Sequence, residues 1–453
     1  MREEFRILSA TAILGYGFPA ASFAEGLRRK PDLIAVDAGS TDPGPYYLGA
    51  GVSFTDRNAV KRDLEIMLQA GLASRIPVVI GSAGGSGGEP HLLWCREIIE
   101  EIARENSLHF KLALIHAEFG KDFLQQELAA GRIKPLEPAP LLTAGDIDAS
   151  AHIVGQMGVE PFIRAFDSEP DVILAGRSYD PAVFACLPIR LGYDRGLALH
   201  LGKILECAAI CATPGSGSDC MFGYLGEDYF RVEPLNPARR CTPLSVAAHT
   251  LYEKTNPYLL PGPGGHLDLT GCRFEPETDT IVRVSGSRFV PARDYTIKLE
   301  GARLIGYRTV AIAGVRDPVM IGAIDDITQG VEERVADNFR DKKWQYHLRF
   351  NIYGRDGVMG RLEPTPSTAG VHELGIIIEA TAPSQEQADT ICSFARSTML
   401  HYGYAGRRAT AGNLAFPYSP SDFHAGAVYV FSLYHLLQTA DPARHFPVGI
   451  TML

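Results

Sequence analysis

Asp37 closes an apolar run, Leu33–Asp37, and Ser40, Thr41 and Asp42 follow it within one loop. A carboxylate in that position can transfer a proton or hold a cation while the hydroxyls orient a substrate. Equally, Asp37 can cap its own loop, and Asp42-Pro-Gly reads as a plain turn. Arg177, Ser178 and Asp180 follow a second apolar run, Val172–Gly176. An arginine there can grip a substrate carboxylate with two prongs, or brace the loop by pairing with Asp180. The segment Gly81–Gly88 reads GSAGGSGG and precedes Glu89-Pro90, the opening of a helix. Its Gly84, Gly85, Ser86 and Gly87 let the backbone approach an anion closely, a phosphate or a carboxylate; the alternative is a tight turn. The loop lacks the Lys-Ser/Thr of a P-loop and the register of a dinucleotide fingerprint, so it gives little support to NAD or ATP.

Further candidates are scattered. His116, followed by Glu118, ends another apolar run and can act as acid or base near neutral pH; a structural histidine is the plainer reading. Lys203, Glu206 and Cys207 share one helix face; the pair can face the cleft, and a solvated ion pair with buried Cys207 and Cys211 is the plainer reading. Glu253, Asn256, His266 and Asp268 flank a Pro-Gly segment and can close over a ligand or, with Asp37, hold a divalent ion. No His-Glu-x-x-His and no C-x-x-C occurs. No organic cofactor and no metal are therefore assigned, with a divalent metal as the lesser alternative. The catalytic candidates are Asp37, Asp180 and His116. The substrate-binding candidates are Ser40, Thr41, Gly84, Gly85, Ser86, Gly87, Arg177, Ser178 and His266.

One arrangement brings these pieces together. Short apolar runs at Phe5–Ser9, Leu33–Asp37, 77–81, 111–116, 133–136 and 172–176 alternate with amphipathic stretches at 20–29, 59–73, 90–105, 121–130 and 148–166. Strands that are apolar throughout are covered on both faces, and β-α alternation predicts a doubly wound, mostly parallel sheet. Ligands bind beyond the carboxyl ends of such strands, where all the loops above lie. The pattern then changes. Strand-like runs surround a helix carrying Met320, Ile324, Ile327, Val331, Val335 and Phe339 on one face, and another opened by Ser384 and Gln387 at capping-box spacing. These predict a smaller α+β sandwich of ferredoxin-like type, with domains at 1–270 and 271–453. An irregular tail with a helix over 427–437 completes the expectation.

Composition bounds the function. The chain has 453 residues, a length that predicts two domains, and a net charge of −10 with 21% charged residues, which disfavours a basic nucleic-acid face. No run approaches the roughly 20 apolar residues of a membrane span. The N-terminus, MREEFRILSA, is acidic where a signal peptide is basic, and the eight cysteines are dispersed as in reduced thiols. These features predict a cytoplasmic protein without membrane or nucleic-acid partners. The second domain's strands need cover on the face its helices leave open, which predicts a homo-oligomer.

Taken together, DAGSTDPGPYYLG, GSAGGSGG, LAGRSYDPAVFA and FPYSPSD (Phe416–Asp422) resemble the acyclic terpene utilisation (AtuA) family over nearly the whole chain. The resemblance implies a catabolic protein with an α/β N-terminal region and a smaller α/β region after it, acyl-CoA chemistry and a small companion protein. The first loop, SATAILGYGFP, departs from the Gly-Asp-rich opening of the namesake. Its polar loops suit a small carboxylate or CoA ester. The leading expectation is a hydratase, dehydratase or isomerase acting by proton abstraction. The alternative is a non-catalytic binding subunit in complex with the companion.

Overall fold

The computed structural model describes residues 4–252, 255–365 and 370–453. The chain is mixed α/β and forms two compact units. One is Met1–Arg303 with Phe431–Leu453; the other is Leu304–Val430. The division falls inside two continuous strands, Tyr295–Val315 and Asp422–Thr439, and not at the expected 270/271.

In the first unit, five strands run parallel: β1 (Phe5–Ser9), β2 (Leu33–Asp37), β3 (Val78–Gly81), β4 (Lys111–Ile115) and β5 (Val172–Ala175). Their order is β1-β2-β3-β5-β4. Four antiparallel strands extend the sheet beyond β1, and Val448–Met452 pairs antiparallel with β4. The expected mostly parallel sheet is therefore a mixed one. Alternation along the strands divides its faces. Ile7, Leu33, Ala35, Val79 and Ile173 pack with helices α3 (Asp180–Arg190) and α4 (Arg195–Leu205). Leu8, Ile34, Val36, Val78, Ile80 and Leu174 pack with α1 (Arg57–Ser74) and α2 (Glu89–Glu105). Burial on both faces explains the uniformly apolar runs, each large side chain contributing about 1.5–3 kcal/mol.

The chain leaves β3 through α2 to β4, then returns to insert β5 between them. That reversal sets the ends of β3 and β5 side by side, with β2 adjoining β3. The stretch expected as one helix over 148–166 is broken by a strand, His152–Gln156, paired with 298–302. Its Ile153-Val154-Gly155 core favours a pleat, and a Cβ at Gly155 would meet the Phe119 ring at 2.4 Å.

The second unit follows the order strand, two helices (the first a short one, Pro318–Gly322), strand, strand, helix, strand. Its longer helices, Ile324–Phe339 and Gln385–His401, bury Ile327, Val331, Val335, Ile391, Ala395 and Met399 against Ala311, Ala313, Ile376 and Ile378. Ser384 caps the second helix by accepting from Gln387 N. The helix expected over 427–437 is instead part of the strand Asp422–Thr439. Leu433, His435 and Leu437 are buried at a two-residue period, and the β-branched and aromatic residues of AVYVFSLYHLL favour that conformation.

Candidate functional site

A cleft of about 480 Å³ opens in the first unit, lined among others by Ser40, Asp42, Arg177, Asp180, Lys203, Glu206 and Lys298. Two strand ends and one helix end supply its charged side. β2 delivers Asp37 and the Ser40–Asp42 turn, β5 delivers Arg177 and Asp180, and α4 delivers Lys203 and Glu206.

Arg177 is the centre of the network. Its side chain is 3% exposed. Nε donates to Glu300 Oε2 at 2.7 Å, and Nη1 donates to Ser178 O at 2.7 Å and to Asp180 Oδ1 at 3.1 Å. Glu300 is wholly buried and also receives Lys298 Nζ at 2.8 Å and Thr41 Oγ1 at 3.0 Å. Burial alone would raise the Glu300 pKa; the charges of Arg177 and Lys298 outweigh it and bring the carboxyl to about 2. Burial likewise works against the charge on Arg177, and Glu300 with Asp180 more than compensates, raising its pKa.

Asp37 lies behind this network, almost without exposure. Oδ2 accepts from Gly39 N at 2.9 Å, while Oδ1 is buried with no hydrogen-bond partner. A Cβ on Gly81 would lie 2.9 Å from Oδ1 and 2.6 Å from Ser178 Oγ, so glycine is required for this carboxyl to sit where it does. Burial, then the charge of Asp180, hold the Asp37 pKa well above the ordinary value. Burial raises Asp180 as well, against the lowering effect of the neighbouring Arg177 charge. Asp180 is 32% exposed, so it is the member of the pair that meets the cleft.

The remaining candidates divide. Thr41 and Ser178 are buried and do not line the cleft, Thr41 donating to Glu300 and Ser178 bonded to Ser82. Gly84, Gly85, Ser86 and Gly87 are buried and do not line the cleft. Gly85 (φ +90°) faces the Phe54 ring, and Gly87 (φ +66°) faces the Arg177 backbone, where a Cβ would approach N to 2.1 Å. The close approach that the glycines permit is made by protein, which corrects the expected anion cradle. His116 is set apart, its Nδ1 2.8 Å from Glu89 Oε2. His266 lines a separate pocket of about 10 Å³. Asn256 lines the cleft, Asp268 pairs with Arg288, and Glu253 lies outside the described residues. Lys203 and Glu206, expected as a solvated pair, are buried 2.7 Å apart in the cleft wall.

Sequence reasoning missed Lys298 and Glu300. The signal was present in TIKLEGA: Ile297 and Leu299 face the core, so charged residues alternating with them mark a second, polar buried face.

The family whose sequence pattern matches is described as acyclic terpene utilisation family protein AtuA, over residues 56–219 and 234–424. The chain belongs to the AtuA family. Membership points to a catabolic role, and the matched residues include Arg177, Asp180, Lys203 and Glu300. No curated protein and no solved structure matches the chain. Among the described residues, no helix is long and apolar enough to cross a membrane, and no three His, Cys, Asp or Glu side chains are arranged to hold a metal ion.

Proposed function

We propose that the cleft is the active site of a catabolic lyase or isomerase that moves a proton on a small carboxylate or acyl-CoA substrate without an organic cofactor. The observation that carries this reading is the carboxyl pair. Asp37 is buried with an unpartnered oxygen and a raised pKa, beside Asp180, which opens to the cleft. Two carboxyls whose protonated forms are favoured by burial, and for Asp37 by the charge of Asp180, are suited to general acid–base work near neutral pH.

In a dehydration, the Asp180 carboxylate takes the proton from the carbon next to the carbonyl. The C–H electron pair forms the double bond, and the hydroxyl on the next carbon leaves with a proton returned from the carboxyl pair, as water. In an isomerisation, the same proton returns to another carbon. Arg177, held rigidly by Glu300, and Lys298 supply positive charge for the developing enolate. Gly84–Gly87 and His116 have no part in this reading. The strand order of the second unit supports a ferredoxin-like sandwich there.

The test is a panel of hydroxy acids and enoyl-CoA esters. Asp180→Asn is expected to lower kcat about 10²–10⁴-fold with the fold retained. Turnover unchanged in a folded Asp180→Asn protein removes this site.

A further inference from the structure

Strands of the first unit lead from the cleft to a second cavity, of about 710 Å³. The segment Ile133–Pro135 runs antiparallel to 435–437. Leu136 and Tyr434 line the cleft at one end of this pair, joined by Leu136 N donating to Tyr434 O at 3.1 Å. Arg132 and Gln438 line the second cavity at the other end, joined by Gln438 N donating to Arg132 O at 2.9 Å. Tyr434 and Gln438 are four strand residues apart, which puts them on one face at a separation of about 13 Å. On the strand that begins at Tyr295, Lys298 lines the cleft and Tyr295 the second cavity, about 10 Å away along the chain and on the opposite face of that strand.

The second cavity carries more arginines than carboxylates. Arg132, Arg293, Arg444 and His445 line it, against Glu127 and Asp294. Arg132 is committed to Glu127. Arg293 and Arg444 are exposed, and among the described residues neither has a carboxylate within ion-pair distance. Burial, then the charge of Arg444, lowers the pKa of His445, so the positive charge here is that of the arginines. Guanidinium groups without internal partners around one cavity suit phosphate oxygens, which take paired N–H donors and relieve the repulsion.

We propose that this cavity binds a phosphate group of an extended ester substrate whose reacting end occupies the cleft, about 10–13 Å away along the strands. The inference rests on the proposed reaction site, and it favours a nucleotide-bearing ester of CoA type over a free small acid.

Calorimetric titration of the full chain with adenosine 3′,5′-bisphosphate and with inorganic phosphate tests it. The bisphosphate is expected to bind more tightly than inorganic phosphate. Arg293→Ala and Arg444→Ala should each weaken it about tenfold or more, with an unchanged Tm because both side chains are exposed. Asp180→Asn should bind the bisphosphate as the natural chain does. Equal affinity for inorganic phosphate overturns the ester handle, and undiminished binding in the Arg293→Ala/Arg444→Ala double variant overturns the location. Failure of the reaction site is read separately, as turnover that survives Asp180→Asn.

Discussion

The loops after β2 and β5 and the loop after β3 lie at the same edge of the same sheet, yet they do opposite things with their unusual residues. The Asp37 and Arg177 loops contribute to a cleft and leave Asp37 Oδ1 unpartnered. The glycine loop is closed, its backbone wedged between Phe54, His91 and the Arg177 peptide. Glycine permits close approach without saying by what. Here it lets the Arg177 backbone sit against Gly87, whose N–H is not free to donate to a ligand because it already donates to Ala83 O at 3.1 Å. The charged loop is thus held in place by the glycine loop.

The sharpest break of that comparison is Gly87→Val. The new side chain would need the left-handed region and would strike the Arg177 backbone, neither of which a rotamer change can relieve. We expect loss of more than about 4 kcal/mol, seen as insolubility or a collapsed Tm. Ser40→Ala, on the open side, should keep its Tm within about 2–4 °C. A well-folded Gly87→Val protein would show the loop to be slack. Next in size is Arg177→Met. It leaves the buried Glu300 with Lys298 and Thr41 alone, and breaking such a pair from one side costs about 3–5 kcal/mol. The Arg177→Met/Glu300→Gln double variant should recover part of the loss in urea unfolding; strict additivity would deny the coupling.

A smaller effect is acid sensitivity. Glu300 moves from an ordinary 4.5 to about 2 on folding, so its contribution is present above pH 4.5 and is lost as pH falls through that window. It amounts to about 3 kcal/mol. The difference in unfolding free energy between the natural chain and Glu300→Gln, followed from pH 6 to pH 2, should shrink by about that amount. A difference independent of pH would mean that Glu300 is not held charged.

Much of the sheet was legible because its residues answer to one rule. Phe5–Ser9 and Leu33–Asp37 are mostly apolar and, apart from the half-buried Arg6, buried on both faces, so the runs and the strands coincide. The strand Asp422–Thr439 was misread because its apolar residues fit a helical period as well as a pleat, and pairing with distant residues decides between them. Within the site, Asp37, Arg177 and Asp180 were legible because strand-end position is a local property. Glu300 was not, because its role depends on a partner 123 residues away. The glycine loop was conspicuous in composition, but what approaches Gly87 is Arg177, again a long-range fact.

The smallest effect separates the two halves of the carboxyl pair. The folded protein raises the Asp37 pKa, so the folded state holds a proton that the unfolded chain has already released. Stability contributed at Asp37 is therefore intact below the ordinary value and declines as pH rises from there toward the raised one. Asn has nearly the shape of a neutral carboxyl and does not titrate. Asp37→Asn should match the natural chain in urea unfolding at low pH, and its relative stability should increase as pH is raised from 4 to 8. A charge on Asp37 stabilised by Arg177 would give the opposite slope, with the natural chain gaining on the variant as pH rises. That result would move the proton from Asp37 to Asp180 and leave the open carboxyl, rather than the buried one, as the acid of the pair.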